Sequence, residues 1–180
     1  RLDNIAFKTT TMLNSKTQPQ LLLGTNTVYV GLGEQTDSVV LWPDLQGENY
    51  KPCVVDERNI AAEQEHPGYQ GVLHAAKPNE DAYVVFKIDT PGDMVSVTYG
   101  GRFYNRAPRS RIELLHSFDG GKTWQTGYSL TKTDPPWDVI RYETVSDVPA
   151  GCRSVLFKYL LGSSAAGKDA CSLYSVRMEA

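Results

Sequence analysis

Apolar and polar residues alternate with a period of two along most of the chain, and that rhythm predicts strands. Ala82, Val84, Phe86 and Ile88 fall on one face of a segment, while Tyr83, Val85 and Lys87 fall on the other. This is the pattern of a strand that lays one side against a core. Val95, Val97 and Tyr99 continue it, and Ile112, Leu114 and His116 repeat it. The same reading places strands at Asn26 to Leu32, Ser38 to Trp42, Lys51 to Val55, Gly71 to Ala76, Thr123 to Leu130, Val139 to Val145, Arg153 to Leu161 and Ser172 to Glu179. A helical period over a dozen residues is absent, and the one helical candidate is short: Glu57 to Glu65, with Asp56 as N-cap and Pro67 beyond its end. Many short strands separated by turn residues predict an all-β chain, a sandwich or a barrel, with at most that one short helix. A length of 180 residues is expected to form one domain, residues 1–180.

Charge and composition narrow the function classes. The formal net charge is −3, and the 18 Lys and Arg residues are scattered instead of forming a phosphate-tracking stripe, so nucleic acid is not an expected partner. No run approaches the roughly 20 apolar residues that a spanning helix needs, so membrane insertion is not expected either. The chain begins at Arg1 without an apolar leader, and is expected to be a processed or excised piece of a longer protein. Cys53, Cys152 and Cys171 permit at most one internal disulfide, with Cys152–Cys171 the favoured pairing because both flank late strands.

Residues Ser117 to Trp124 read S-F-D-G-G-K-T-W, a full match to the S-x-D-x-G-x-T-W pattern, and resemble the Asp box of sialidases and other secreted carbohydrate-handling proteins. The physical logic is that of a hairpin: Asp119 accepts N–H bonds around the turn, the glycines allow positive φ, and Trp124 packs beneath. The box occurs once and no blade-length repeat accompanies it, which disfavours a propeller and removes any warrant for reading Arg102, Arg106 and Arg141 as a sialidase arginine triad. The closing segment Ala170 to Ala180, together with Arg153 to Tyr159 and the Asp-box hairpin, is similar to the last strands of a galactose-binding-domain-like jelly roll. That resemblance implies an antiparallel β-sandwich of jelly-roll type that serves as a noncatalytic carbohydrate-binding or accessory module, secreted or at the cell surface. No cofactor is expected, although a structural calcium is compatible with it; Asp169 and Glu179 are the oxygen donors considered, and no metal ligand is assigned.

Two segments combine the flat aromatic faces and planar polar groups that sugars require. Gly100 to Arg109, read as a loop, carries Arg102, Phe103, Tyr104, Asn105 and Arg106, and Thr133 to Asp138 holds Trp137 behind tandem prolines. The expected ligand-binding residues are therefore Arg102, Tyr104, Asn105, Arg106 and Trp137. For each segment, ordinary packing at the end of the sandwich is the competing reading, and for Trp42 and Tyr50 packing is preferred. Glu63, Glu65, His66 and His74 lack HExxH spacing and read as a solvated turn, Cys53 reads as a buried hydrophobe, and no nucleophile elbow or phosphate loop occurs. No catalytic residue is expected and the chain is not read as an enzyme. The expected partner is a glycan or polysaccharide, with a catalytic domain of the same polypeptide as a further candidate. The rival reading is a structural interaction domain that packs against a catalytic neighbour or a second copy and binds no sugar.

Overall fold

Thirteen strands, paired antiparallel throughout, form two sheets in a computed structural model that describes residues 20–22, 27–32, 37–63 and 71–180, the first two stretches and residue 37 by backbone path alone. In chain order they are β1 (Gln20–Leu22), β2 (Thr27–Leu32), β3 (Asp37–Trp42), β4 (Val54–Arg58), β5 (Ile60–Glu63), β6 (Val72–Ala75), β7 (Asp81–Asp89), β8 (Val97–Asn105), β9 (Arg111–Ser117), β10 (Gln125–Leu130), β11 (Asp138–Val145), β12 (Ser154–Gly162) and β13 (Cys171–Glu179). The smaller sheet runs β10-β9-β12-β7-β4. In the larger one, β13 pairs with β8 along one edge, and β8 pairs in turn with β11. The other edge of β13 takes β6 at Ser172–Leu173 and β3 at Met178–Glu179. The fold is an all-β antiparallel sandwich of jelly-roll type.

Alternation in the sequence becomes burial in the fold. Ala82, Val84, Phe86 and Ile88 of β7 are buried against Phe157, Leu161 and Val176 in one core between the sheets. Two tyrosines bridge that core in opposite directions. Tyr99 of β8 lies beside Phe157, with ring centroids 4.9 Å apart, and its hydroxyl sits 2.9 Å from His116 Nδ1 on β9. Tyr159 of β12 donates 3.0 Å to the Gly100 carbonyl of β8. Each large ring thus buries its body and still satisfies its hydroxyl.

The Ser117–Trp124 turn has the wiring its residues imply. Asp119 Oδ1 accepts from the Thr123 N–H at 3.0 Å and Oδ2 from the Thr123 hydroxyl at 2.6 Å, while the Ser117 hydroxyl donates to Oδ1 at 2.7 Å. Gly120 and Gly121 hold φ of 75° and 87°, and Lys158 sits 4.0 Å over the Trp124 ring. The bonds from Thr123, first its hydroxyl and then its N–H, hold the Asp119 carboxyl far below the usual Asp value of 3.8. A depressed folded value means that the ionised carboxylate supports the fold fully above 3.8, and that this support is lost as the pH falls further. Thermal melts of the native chain and Asp119→Asn between neutral and strongly acidic pH are expected to show the variant less stable at neutrality, with the gap closing below 3.8. A gap independent of pH would mean that the charge contributes nothing to the turn.

Three expectations are corrected. Glu57 to Glu65 is not a helix over its described part, because β4 runs to Arg58, β5 begins at Ile60, and Gln64 and Glu65 lie outside the described residues. Asn59 breaks the path with φ 54°, and its amide binds the 77–80 turn by accepting from the Lys77 N–H and donating to the Lys77 carbonyl. An asparagine tolerates this left-handed conformation well. Lys51–Cys53, read as the start of a strand, is a 3-10 turn with Pro52 near its beginning, where a proline's fixed φ suits it. Cys152 and Cys171 do not pair: all three cysteines are free thiols. Cys152 precedes β12, whereas Cys171 packs against the Arg111 carbonyl beside the far end of that strand, and burial pushes its thiol up to about 12.

Candidate functional site

The strand order brings the aromatic candidates together. Because β8 lies between β11 and β13, Tyr104 stands opposite both Asp138 and Ser172. A bulge between Leu173 and Ser175 breaks the regular alternation of β13 at Tyr174. The Tyr104 ring lies 6.0 Å from that of Tyr174 and 6.3 Å from that of Trp137, tilted by about 60° to each. Tyr104 and Trp137 are half-buried and stand outside the core cluster. The Arg106 guanidinium covers one side of Trp137 at 4.7 Å from the ring centroid, a cation–π contact that fixes the indole. Trp137 Nε1–H donates to the Thr133 carbonyl at 2.9 Å, so the ring has its face and edge to offer a ligand, not its donor.

Arg102 is next to this cluster. Its Nε donates to both Asp138 oxygens at 2.9 and 3.0 Å, and its Nη2 also reaches Asp138 Oδ2. Both side chains remain about one-third exposed, so the pair presents donors and acceptors together at the surface. The larger sheet continues away from the cluster with Ile140 and Tyr142, which are 69% and 41% exposed, and the Tyr142 ring lies over Gly100.

Four of the five expected residues, Arg102, Tyr104, Arg106 and Trp137, therefore come to one neighbourhood; Asn105 does not. The segment read as a loop from Gly100 is a central strand as far as Asn105, and only residues 106–110 connect it to β9. Asn105 is fully buried, and its Nδ2 reaches the carbonyls of Ser110, Leu130 and Lys132. It ties three chain segments together from inside the fold and presents no polar atom to a ligand. Tyr174 is the member that sequence reading missed. It looked like an ordinary strand residue, and the pairing of β13 with β8, with Ser172 opposite Tyr104, brings it beside Tyr104.

The other candidates have structural partners. Glu63 accepts from Lys168 at 2.7 Å and lies 3.2 Å from His74 Nε2, and the Lys168 bond is the main cause of its lowered carboxyl pKa. Glu65 and His66 lie outside the described residues. Tyr50 is in the core, whereas Trp42 is 37% exposed. Glu179 is engaged by Arg177 at 2.6 Å, and among the described residues no three His, Cys, Asp or Glu side chains converge as a metal cage would require.

No protein-family profile and no curated protein matches the chain. Solved structures that resemble it include the C-terminal family 6 carbohydrate-binding module of a laminarinase from Zobellia galactanivorans, at 10% identity and a TM-score of 0.48 over 77% of this chain and 98% of that one. A family 35 module from Cellvibrio japonicus matches at 16% identity and a TM-score of 0.48, over 78% of this chain and 91% of that one. A family 35 module solved with a disaccharide containing glucuronic acid matches at 19% identity and a TM-score of 0.47, over 76% of this chain and 89% of that one. These structural neighbours are carbohydrate-binding modules with a β-sandwich fold.

Proposed function

We propose that this chain is a noncatalytic carbohydrate-binding module of a secreted or cell-surface protein, and that it recognises a glycan without covalent chemistry. The observation that supports this reading is the aromatic cluster of the half-buried Tyr104 and Trp137, with the buried Tyr174 beside Tyr104, bordered by Arg106 and by the Arg102–Asp138 pair. Aromatic faces take the apolar C–H side of a sugar ring, and a guanidinium beside a carboxylate addresses its hydroxyls as donor and acceptor. Arg106 holds the indole in place before a ligand arrives, which lowers the entropy lost on binding. A neighbouring catalytic domain in the same polypeptide would gain substrate proximity from such a module.

Calorimetric titration against neutral and acidic oligosaccharides, chosen from a glycan array, tests the reading. Trp137→Ala and Tyr104→Ala are each expected to weaken binding by at least about 10- to 30-fold, the loss typical of a buried aromatic anchor. Absence of binding to every glycan, or affinity unchanged in both variants, would defeat it.

One observation favours the second reading, a structural interaction domain. Ile140, Tyr142 and Trp42 leave apolar area exposed on the larger sheet, and aromatic and aliphatic anchors of this kind also serve protein contacts. Sedimentation of the isolated chain separates the two. A sugar-binding module is expected to stay monomeric, whereas self-association abolished by Ile140→Asp would favour the interface.

A further inference from the structure

At the end of the sandwich where β12 finishes and β9 starts, a polar groove of about 300 Å³ opens between the 77–80 turn, the 106–110 connection and the residues after Gly162. Two of the three non-glycine residues with positive φ among the described residues line it: Asn79 at 59° and Arg109 at 63°. Arg109 occupies the third position of a turn closed by the Ser110 N–H on the Ala107 carbonyl at 3.0 Å, with Pro108 at the second. A proline followed by positive φ is the pattern of a type II turn, whose third position ordinarily belongs to glycine. An arginine there is strained, and strain of this kind collects where a side chain is needed for something other than stability.

Hydrogen bonds hold the groove's frame. The Asn79 N–H donates to the Ser163 carbonyl at 2.7 Å, the Ser110 hydroxyl meets that of Ser163 at 3.2 Å, and the Ser164 hydroxyl donates to the Pro108 carbonyl at 2.6 Å. Arg111 is committed to Asp81 at 3.0 Å and to Glu113 at 3.3 Å. Among the described residues, neither the Arg109 guanidinium nor the Glu80 carboxylate has a charged partner, and both residues line the groove.

The lining charges cancel, Arg109 and Arg111 against Glu80 and Asp81, so no net field favours an anion. A ligand that satisfies an unpaired guanidinium and an unpaired carboxylate together must both donate and accept, as a pair of neighbouring hydroxyls does. The groove has no aromatic wall, and its volume is at the lower end for ligand sites. We propose that it is a second subsite, built for the vicinal hydroxyls of one sugar ring held end-on, in which Arg109 donates and Glu80 accepts. The proposal rests on the carbohydrate reading above but uses different residues. Arg106 and Arg109, on the two sides of the same short connection, would serve the aromatic patch and the groove respectively.

Titration of isotope-labelled protein with glucose, galactose, mannose and glucuronic acid, followed by amide NMR, tests it. At least one neutral hexose is expected to shift the amides of Asn79, Arg109, Ser163 and Ser164 with a dissociation constant on the order of 1 mM, equally at low and high salt. Arg109→Gly and Glu80→Gln are each expected to weaken that binding at least about tenfold, and Arg109→Gly to melt no lower than the native chain because glycine relieves the turn. No groove shift with any neutral hexose, binding of glucuronic acid alone, or unaltered binding in Arg109→Gly would each overturn the proposal. The Trp137 indole signal, followed separately with oligosaccharides, reports on the aromatic patch. If it responds while the groove stays silent, the groove proposal alone fails.

Discussion

Tyr159→Ala is expected to lower stability by about 3–5 kcal/mol, the range for removing a large buried ring from a close-packed core. The ring is completely buried, meets Phe86 edge-on at 6.0 Å, and lies 6.4 Å from Phe103 on the opposite sheet. Few neighbours could close the resulting cavity, because those around it are held in strand ladders on both sides. Tyr159→Phe separates packing from the hydroxyl. It keeps the ring and removes only the hydroxyl's bonds to the Gly100 and Arg177 carbonyls, at an expected cost of about 1–3 kcal/mol. Urea unfolding of both variants, with the denaturant slope unchanged, measures the two contributions. Equal losses in the two variants would show that the hydroxyl, not the packing, dominates at this position. The same burial raises the Tyr159 phenol well above its ordinary value of 10, so its contribution is complete below pH 10 and declines as the pH rises beyond it.

Gly101→Ala is expected to cost about 1–3 kcal/mol or more, as overpacking of a rigid site does. A Cβ at that position would stand 1.9 Å from the Ser175 carbonyl oxygen and 3.1 Å from Val176 Cα. These are backbone atoms of β13, so no side chain can turn aside to make room. Ser175 also ends the bulge at Tyr174, the neighbour of Tyr104. Displacing β13 should therefore disturb the aromatic cluster as well as the ladder. Chemical denaturation and the oligosaccharide titration together read both effects. An unchanged unfolding midpoint would mean that β8 and β13 approach each other less closely than this. Gly100 is similarly confined, since its Cβ would meet the Arg141 carbonyl oxygen at 2.1 Å.

These glycines show where sequence reading reached its limit. Gly100-Gly101 suggested a loop because glycine commonly marks one, yet here the pair permits close approach between strands in the middle of a sheet. Asn105 looked like a surface amide beside two arginines; in the fold it is the end of that strand and is turned inward. The charged run after Asp56 offered a helical reading, but its residues pair with β7 and β6 around the left-handed Asn59. In each case the local composition allowed two conformations, and pairing with distant strands chose between them. The Asp119 turn, in contrast, was legible in detail because every group in it lies within a few residues along the chain.

By itself, then, the chain determined most of the strand segments and which of their faces are apolar, since alternation with period two depends only on neighbours in sequence. Tertiary structure alone decided which residues meet at the surface. Tyr104 and Trp137, with the buried Tyr174 beside them, come from separate parts of the chain and converge because β8 lies between β11 and β13. Arg109 and Glu80 share a groove because β7, β9 and β12 are neighbours in the other sheet. Strand order and register are selected by the packing of the whole core, and that energy is not contained in any local stretch of residues.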